Sequence, residues 1–191
     1  MNSEKNDTGD CHFEQNRFTI SIIGLGLIGG SMAMALKDFR SAYLIGVDTN
    51  PETRKQALAT GTVDEVYETA DDAITNADMV ILCVYPHHII DFAKNQMQTL
   101  KDGCIVTDVC GAKMKLYEAL IPFLPRHIEY VGIHPMAGKE IDGFENAEKA
   151  LFVNTGFLIT PLESTKEETT ALMQELGTYI GATKIAVANP E

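Results

Sequence analysis

Positive charge is scarce in this chain of 191 residues: 15 lysines and arginines stand against 27 aspartates and glutamates, for a formal net charge of -12. Nucleic acids and anionic membranes are held by basic surfaces, so this balance argues against either as a main partner. A small anionic ligand answers to local charge and stays open. No apolar run approaches the ~20 residues of a membrane span. The opening MNSEKNDTGDCHFEQN has neither the apolar core nor the cleavage pattern of a signal peptide, and residues 1–16 read as a disordered tail. The four cysteines, at 11, 83, 104 and 110, lack metal-ligand spacing, and Cys83 and Cys104 fall inside apolar runs. Reduced, buried thiols in a cytoplasmic protein are expected, with no metal site.

From residue 17 to residue 191 the chain alternates short β-branched runs with amphipathic stretches, enough for one well-filled domain. RFTISIIG, AYLIGVD, DMVILCVYP, GCIVTDV, IEYVGIHP, TGFLITP and TKIAVA read as strands. Between them IGGSMAMALKDF, NPETRKQALATG, ADDAITNA, HHIIDFAKNQMQTL, KMKLYEALIPFL and TKEETTALMQELGTYIG read as helices. In the second helix Asn50 is the expected N-cap, Pro51 the first-turn residue and Gly61 the C-terminal stop. Strands that are apolar throughout and separated by helices imply a doubly wound α/β fold of Rossmann type, with a mostly parallel sheet covered on both faces. Right-handed crossovers then bring the strand-to-helix turns to one edge, where ligands of such sheets bind.

The first of those turns is GLGLIGGS, with Gly24, Gly26 and Gly29 in G-x-G-x-x-G spacing between a predicted strand and a predicted helix. Gly24 permits the tight turn, Gly26 lets a pyrophosphate approach the backbone, and Gly29 lets helix and strand pack closely. Leu27 and Ile28 open the helix, whose first N–H groups are free for phosphate. Asp48 ends the next strand about 20 residues further on, where a carboxylate accepts from both ribose hydroxyls and repels a 2′-phosphate. The expected cofactor is therefore NAD rather than NADP. A tight turn without a ligand, with Asp48 as a strand-end cap, is the plainer alternative.

Other strand ends share that edge. Val84 and Tyr85 in CVYP are candidates to lie beside the cofactor, although Tyr85 equally suits ordinary loop packing. Gly111, just past GCIVTDV, leaves room for close approach. Lys113 starts the following helix, where the dipole disfavours a cation; a solvated lysine is the simpler reading against a functional one. Of the histidines, His12 is in the tail and His127 precedes its strand, at the wrong edge. His87 and His88 open a helix at the right edge but point different ways. His134 ends IEYVGIHP at the right edge, and Pro135 holds it extended. An imidazole there suits proton abstraction during hydride transfer, and a structural histidine is the competing reading.

Together GLGLIGGS, Asp48, CVYP, TDVCGAK and HPMAGKE, in that order, resemble the prephenate/arogenate dehydrogenase family of tyrosine biosynthesis, from about residue 17 to the end. The resemblance implies NAD-dependent oxidative decarboxylation of prephenate to 4-hydroxyphenylpyruvate, with a small anionic substrate. His134 matches the family's catalytic histidine, which accepts the ring hydroxyl proton, and Glu140 matches an acidic residue at the mouth of the site. Two positions depart from it. Many members have Gly-Ser where this chain has Cys110-Gly111, leaving a water or backbone group to do the serine's work at Gly111. Lys139 stands where some members carry a small hydroxyl residue, and is a candidate for attracting a substrate carboxylate, against a plain exposed loop lysine. The resemblance also implies a helical C-terminal domain that forms a homodimer and supplies a carboxylate-binding arginine. This chain ends about where that domain would begin, so a nucleotide-binding fragment with little turnover of its own is expected. Alternatives are arogenate as substrate, another β-hydroxyacid dehydrogenase, or a non-catalytic NAD-sensing module.

Overall fold

The structure, a computed structural model, describes residues 17–189; the tail expected over 1–16 lies outside them. The strands are β1 (Thr19–Ile23), β2 (Tyr43–Val47), β3 (Glu65–Tyr67), β4 (Met79–Leu82), β5 (Ile105–Asp108), β6 (Glu129–Pro135), β7 (Gly156–Pro161) and β8 (Lys184–Val187). They form one eight-stranded sheet in the order β3-β2-β1-β4-β5-β6-β7-β8. The helices are α1 (Leu27–Leu36), α2 (Pro51–Ala59), α3 (Ala70–Ala73), α4 (Pro86–Asn95), α5 (Lys113–Leu120) and α6 (Glu167–Tyr179).

Alternation along the strands explains why both faces are covered. All four side chains of β4 are buried. Met79 and Ile81 join Ile20, Ile22, Met32, Leu36 and Leu176 on the face carrying α1 and α6. Val80 and Leu82 join Ile89, Phe92, Leu116 and Tyr130 on the face carrying α4 and α5. Each such side chain contributes about 1.5–3 kcal/mol by leaving water. Strand order reverses direction at β1, with β2 on one side and β4 on the other. That crevice is the usual ligand position of an open parallel sheet. Local signals in α2 are as the sequence implies: Asn50 Oδ1 accepts the Glu52 N–H at 3.0 Å, and Gly61 turns the chain at φ +63°.

Two features differ from the sequence reading. β3 carries no apolar pattern to betray it; it is a three-residue edge strand whose side chains are all half-buried. β7 runs antiparallel to β6, and β8 runs parallel to β7, so the last two strands oppose the first six. The chain between β6 and β7 contains only a short 3-10 turn at Phe144–Asn146, and no α-helix to carry it back across the sheet. It stays at the ligand edge instead and packs against α1, where Phe144 lies over Gly30 and the Glu148 N–H donates to Ser31 Oγ at 2.9 Å.

Candidate active site

Close packing governs the glycine turn. Gly24 has φ +89°, and a Cβ there would meet Val84 Cγ1 at 2.8 Å; a Cβ on Gly29 would overlap the Gly24 carbonyl. Gly26 differs: its φ is an ordinary -67°, and a Cβ would find nothing within 4 Å. It begins α1 with no side-chain cap, so the first N–H groups of the helix, those of Leu27 and Ile28 among them, have no capping side chain, and the space beside Gly26 is open. This is a cradle with positive partial charge, fitted to a phosphate.

Asp48 binds the turn from β2. Its Oδ2 accepts the Leu25 N–H at 2.9 Å and its Oδ1 the Asn50 N–H at 2.8 Å. Beside it opens a cleft of about 380 Å³, lined by residues that include Gly24, Asp48, Glu68, Val84, His88 and Phe92. That is a volume suited to a small molecule. Two carboxylates stand there, and the adjacent Arg54 is engaged by Asp48 O at 2.6 Å and Glu68 Oε2 at 3.3 Å. Tyr85 stands off the cleft, 68% exposed and stacked on His87 with ring centroids 6.1 Å apart, so His88 is the one of the two histidines that lines it.

His134 lies on β6, three strand spacings or about 14 Å from β1 along the same edge. Tyr130, Gly132 and His134 alternate onto the α5 face of the sheet. The imidazole packs directly on Gly111, where a Cβ would fall 2.9 Å from Cε1 and 3.1 Å from Nε2. Burial lowers the His134 pKa below its usual value, the nearby Lys113 cation adds to that, and Asp108 opposes it. The neutral, proton-accepting form is therefore favoured.

Lys113 is not solvated. Its side chain is 4% exposed and its Nζ sits 2.7 Å from Asp108 Oδ1, with Asp108 wholly buried. Asp108 also accepts the Cys110 N–H on Oδ1 at 2.8 Å and the Tyr130 phenol on Oδ2 at 2.6 Å. Tyr117 accepts the Gly132 N–H at 2.9 Å and donates to the Thr160 carbonyl. A faint signal for this cluster exists in the sequence: an acid ending β5, a lysine against the dipole of the next helix, and a tyrosine two strand steps before the histidine.

Among the described residues no group of three or more His, Cys, Asp and Glu could hold a metal, and no helix is long and apolar enough to cross a membrane. Residues 32–186 match the family described as prephenate dehydrogenase, nucleotide-binding domain. The chain belongs to this family. A curated prephenate dehydrogenase of Bacillus subtilis is 29% identical over 164 residues, 85% of this chain and 44% of that protein. The crystal structure of Synechocystis arogenate dehydrogenase superposes with TM-score 0.81 at 32% identity, covering 90% of this chain and 60% of that one. Prephenate dehydrogenase from A. aeolicus, solved with hydroxyphenyl propionate and NAD+, gives TM-score 0.80 at 27% identity over 93% of this chain and 62% of that one. The chain thus spans roughly half the length of the curated relative and three fifths of the solved ones.

Within this dehydrogenase-family domain the structure brings Gly24, Gly26, Leu27, Ile28, Gly29, Asp48 and Val84 together at one end of the edge, and His134 with Gly111 at the other. Glu140 is exposed on the β6–β7 connection. Lys139, on the same connection, has its Nζ 3.1 Å from Glu148 Oε1, so its charge is compensated locally. Exposed pairs of this kind contribute little to stability. Lys139→Met is therefore expected to leave the substrate KM within about twofold in a steady-state assay; a tenfold rise would show that Lys139 leaves Glu148 to bind the substrate.

Proposed function

We propose that this chain is the nucleotide-binding domain of an NAD-dependent prephenate dehydrogenase, with His134 as the proton acceptor. The observation that carries the reading is His134 itself: a neutral-leaning imidazole at the strand edge shared with the glycine cradle, pressed against a residue with no side chain. The G-x-G-x-x-G turn and the free N–H groups at the start of α1 would hold the pyrophosphate. Asp48 would take the ribose hydroxyls on the carboxylate lone pairs left beside its two backbone contacts. Bound NAD would supply the hydride acceptor.

The work of the chain is then positional and basic. His134 takes the proton of the ring hydroxyl as the hydride leaves the same carbon. The ring carboxylate departs as CO2, and its bonding electrons complete the aromatic ring as a phenolate, which takes the proton back from His134 to give 4-hydroxyphenylpyruvate. Gly111, having no side chain, lets the imidazole seat directly on the loop after β5. Glu140 stands at the mouth. The 32% identity to the Synechocystis structure favours arogenate as the second reading. A homodimer through a helical domain, with an arginine from that domain on a substrate carboxylate, completes the proposal for the whole protein. The isolated chain is then expected to bind NAD with little turnover. The test is NADH formation by the whole protein with prephenate, arogenate and a 3-hydroxyacid in parallel. Activity with the hydroxyacid alone would overturn the assignment.

A further inference from the structure

A buried ion pair beside His134 calls for an explanation, because burying both charges costs more than an apolar pair of the same size would. The backbone shows how it is seated. Gly132 lies between Tyr130 and His134 on one face of β6, and a Cβ there would come within 2.8 Å of Lys113 Nζ and Cε. The absent side chain is thus a notch, filled by the Tyr117 hydroxyl and the Lys113 ammonium one strand step from the histidine. Tyr130 and Lys113 grip opposite oxygens of Asp108, and the same carboxylate holds the Cys110 N–H. Cys110 precedes Gly111, the residue under the imidazole. The route from Tyr130 to His134 thus runs through hydrogen bonds, an ion pair, the Cys110–Gly111 peptide bond and a packed contact.

We propose that Lys113 and Tyr130 are positioning residues for His134, acting through Asp108: Lys113 sets the charge felt by the ring, and Tyr130 fixes the carboxylate that anchors the loop beneath it.

The groups that face His134 are few. The charges that act on it are Lys113, from α5, and Asp108, from the end of β5; the phenols of Tyr117 and Tyr130 bond to Gly132 and Asp108 in the same buried cluster, and its partner on β7 is the apolar Leu158. Burial pushes both phenols up, with Asp108 adding to it, so neither carries charge near neutral pH. Burial pulls the Lys113 ammonium down, and Asp108 opposes the pull at 2.7 Å. The net field at the imidazole is thus the difference between one cation and one anion. Removing the cation alone leaves the anion, which favours imidazolium. Removing both leaves burial, which favours the neutral ring.

The kinetic consequence rests on the function proposed above; the titration does not. The experiment follows the His134 ring protons by NMR against pH in the 191-residue chain, with the resonance identified by its loss in His134→Asn. Wild type is expected to titrate below the ordinary 6.5. Lys113→Met should raise the midpoint by about one pH unit. Tyr130→Phe should move it less, in the same direction. The double variant Asp108→Asn/Lys113→Met should return close to wild type. If Lys113→Met fails to fold, Tyr130→Phe decides, and an unmoved midpoint in it alone would then overturn the proposal. Midpoints within about 0.2 unit of wild type in both Lys113→Met and Tyr130→Phe would overturn the proposal, since 0.2 unit is a small fraction of one charge's effect. So would a common return to the ordinary histidine value in every variant, because a merely structural role exposes the ring alike in each. In the whole protein the acid limb of kcat/KM should follow the NMR midpoint. Shifted midpoints with a rate indifferent to His134 would defeat the function and leave this inference standing.

Discussion

Gly26→Ala is expected to cost the chain at least about 100-fold in NAD affinity while leaving its fold intact. The two halves of that statement have separate causes. The backbone at Gly26 is in a conformation that alanine adopts freely, and the new Cβ meets no protein atom within 4 Å. Folding stability should hold, or rise by the ~0.4–1 kcal/mol gained when the unfolded chain loses freedom. The methyl group would nevertheless fill the space over the free N–H groups of Leu27 and Ile28. Denying a phosphate two charge-assisted hydrogen bonds, each worth about 1.5–3 kcal/mol, gives the affinity loss stated. Gly29→Ala is the control with the opposite signature. Its Cβ would overlap the Gly24 carbonyl, so helix and strand must part and thermal stability must fall. Calorimetric titration with NAD and thermal denaturation separate the two. An unimpaired NAD affinity in Gly26→Ala would show that the cradle is not the phosphate site.

His134→Asn is expected to lower the rate of NADH formation in the whole protein by about 10²–10⁴-fold, the usual contribution of a positioned general base. Asparagine keeps the size and polarity of the position but cannot take a proton. The NAD dissociation constant should change by less than about twofold, because His134 stands three strands from the glycine turn. The pH dependence follows from the direction of the shift. Only neutral imidazole accepts the proton, and burial with Lys113 holds the His134 pKa below its usual value. Activity should therefore be flat through neutral pH and fall only as the pH drops through that lowered value. A variant as active as wild type would refute the base, and one that also lost NAD binding would recast His134 as structural.

How far these residues were visible in the sequence depends on the reach of the interactions that place them. The glycine turn, α2 with its Asn50 cap, and Asp48 at the end of β2 are local, and their signals lie within a few residues of one another. His134 needed only the sheet's topology to reach the right edge. Lys113 did not reveal itself, because a lysine at the start of a helix looks solvated until its partners are known. Its partner is a strand-end acid five residues earlier, itself held by Tyr130 from 22 residues away in the chain. The notch at Gly132 is likewise meaningless until α5 lies against β6. Lys139 shows the converse: its neighbours in sequence suggested a ligand, and the pair it forms with Glu148 on the same connection was not legible there. The reversal of β7 was hidden because alternating apolar residues give a strand's face but not its direction.

The most direct measurement is a titration of this chain with NAD and, separately, with NADP. Asp48 and Glu68 both line the cleft beside the glycine turn, and Arg54 is already held by them. Saturable one-to-one binding of NAD, with NADP weaker by about tenfold or more, is the predicted result. Equal or tighter binding of NADP, or no binding of either, would contradict the account.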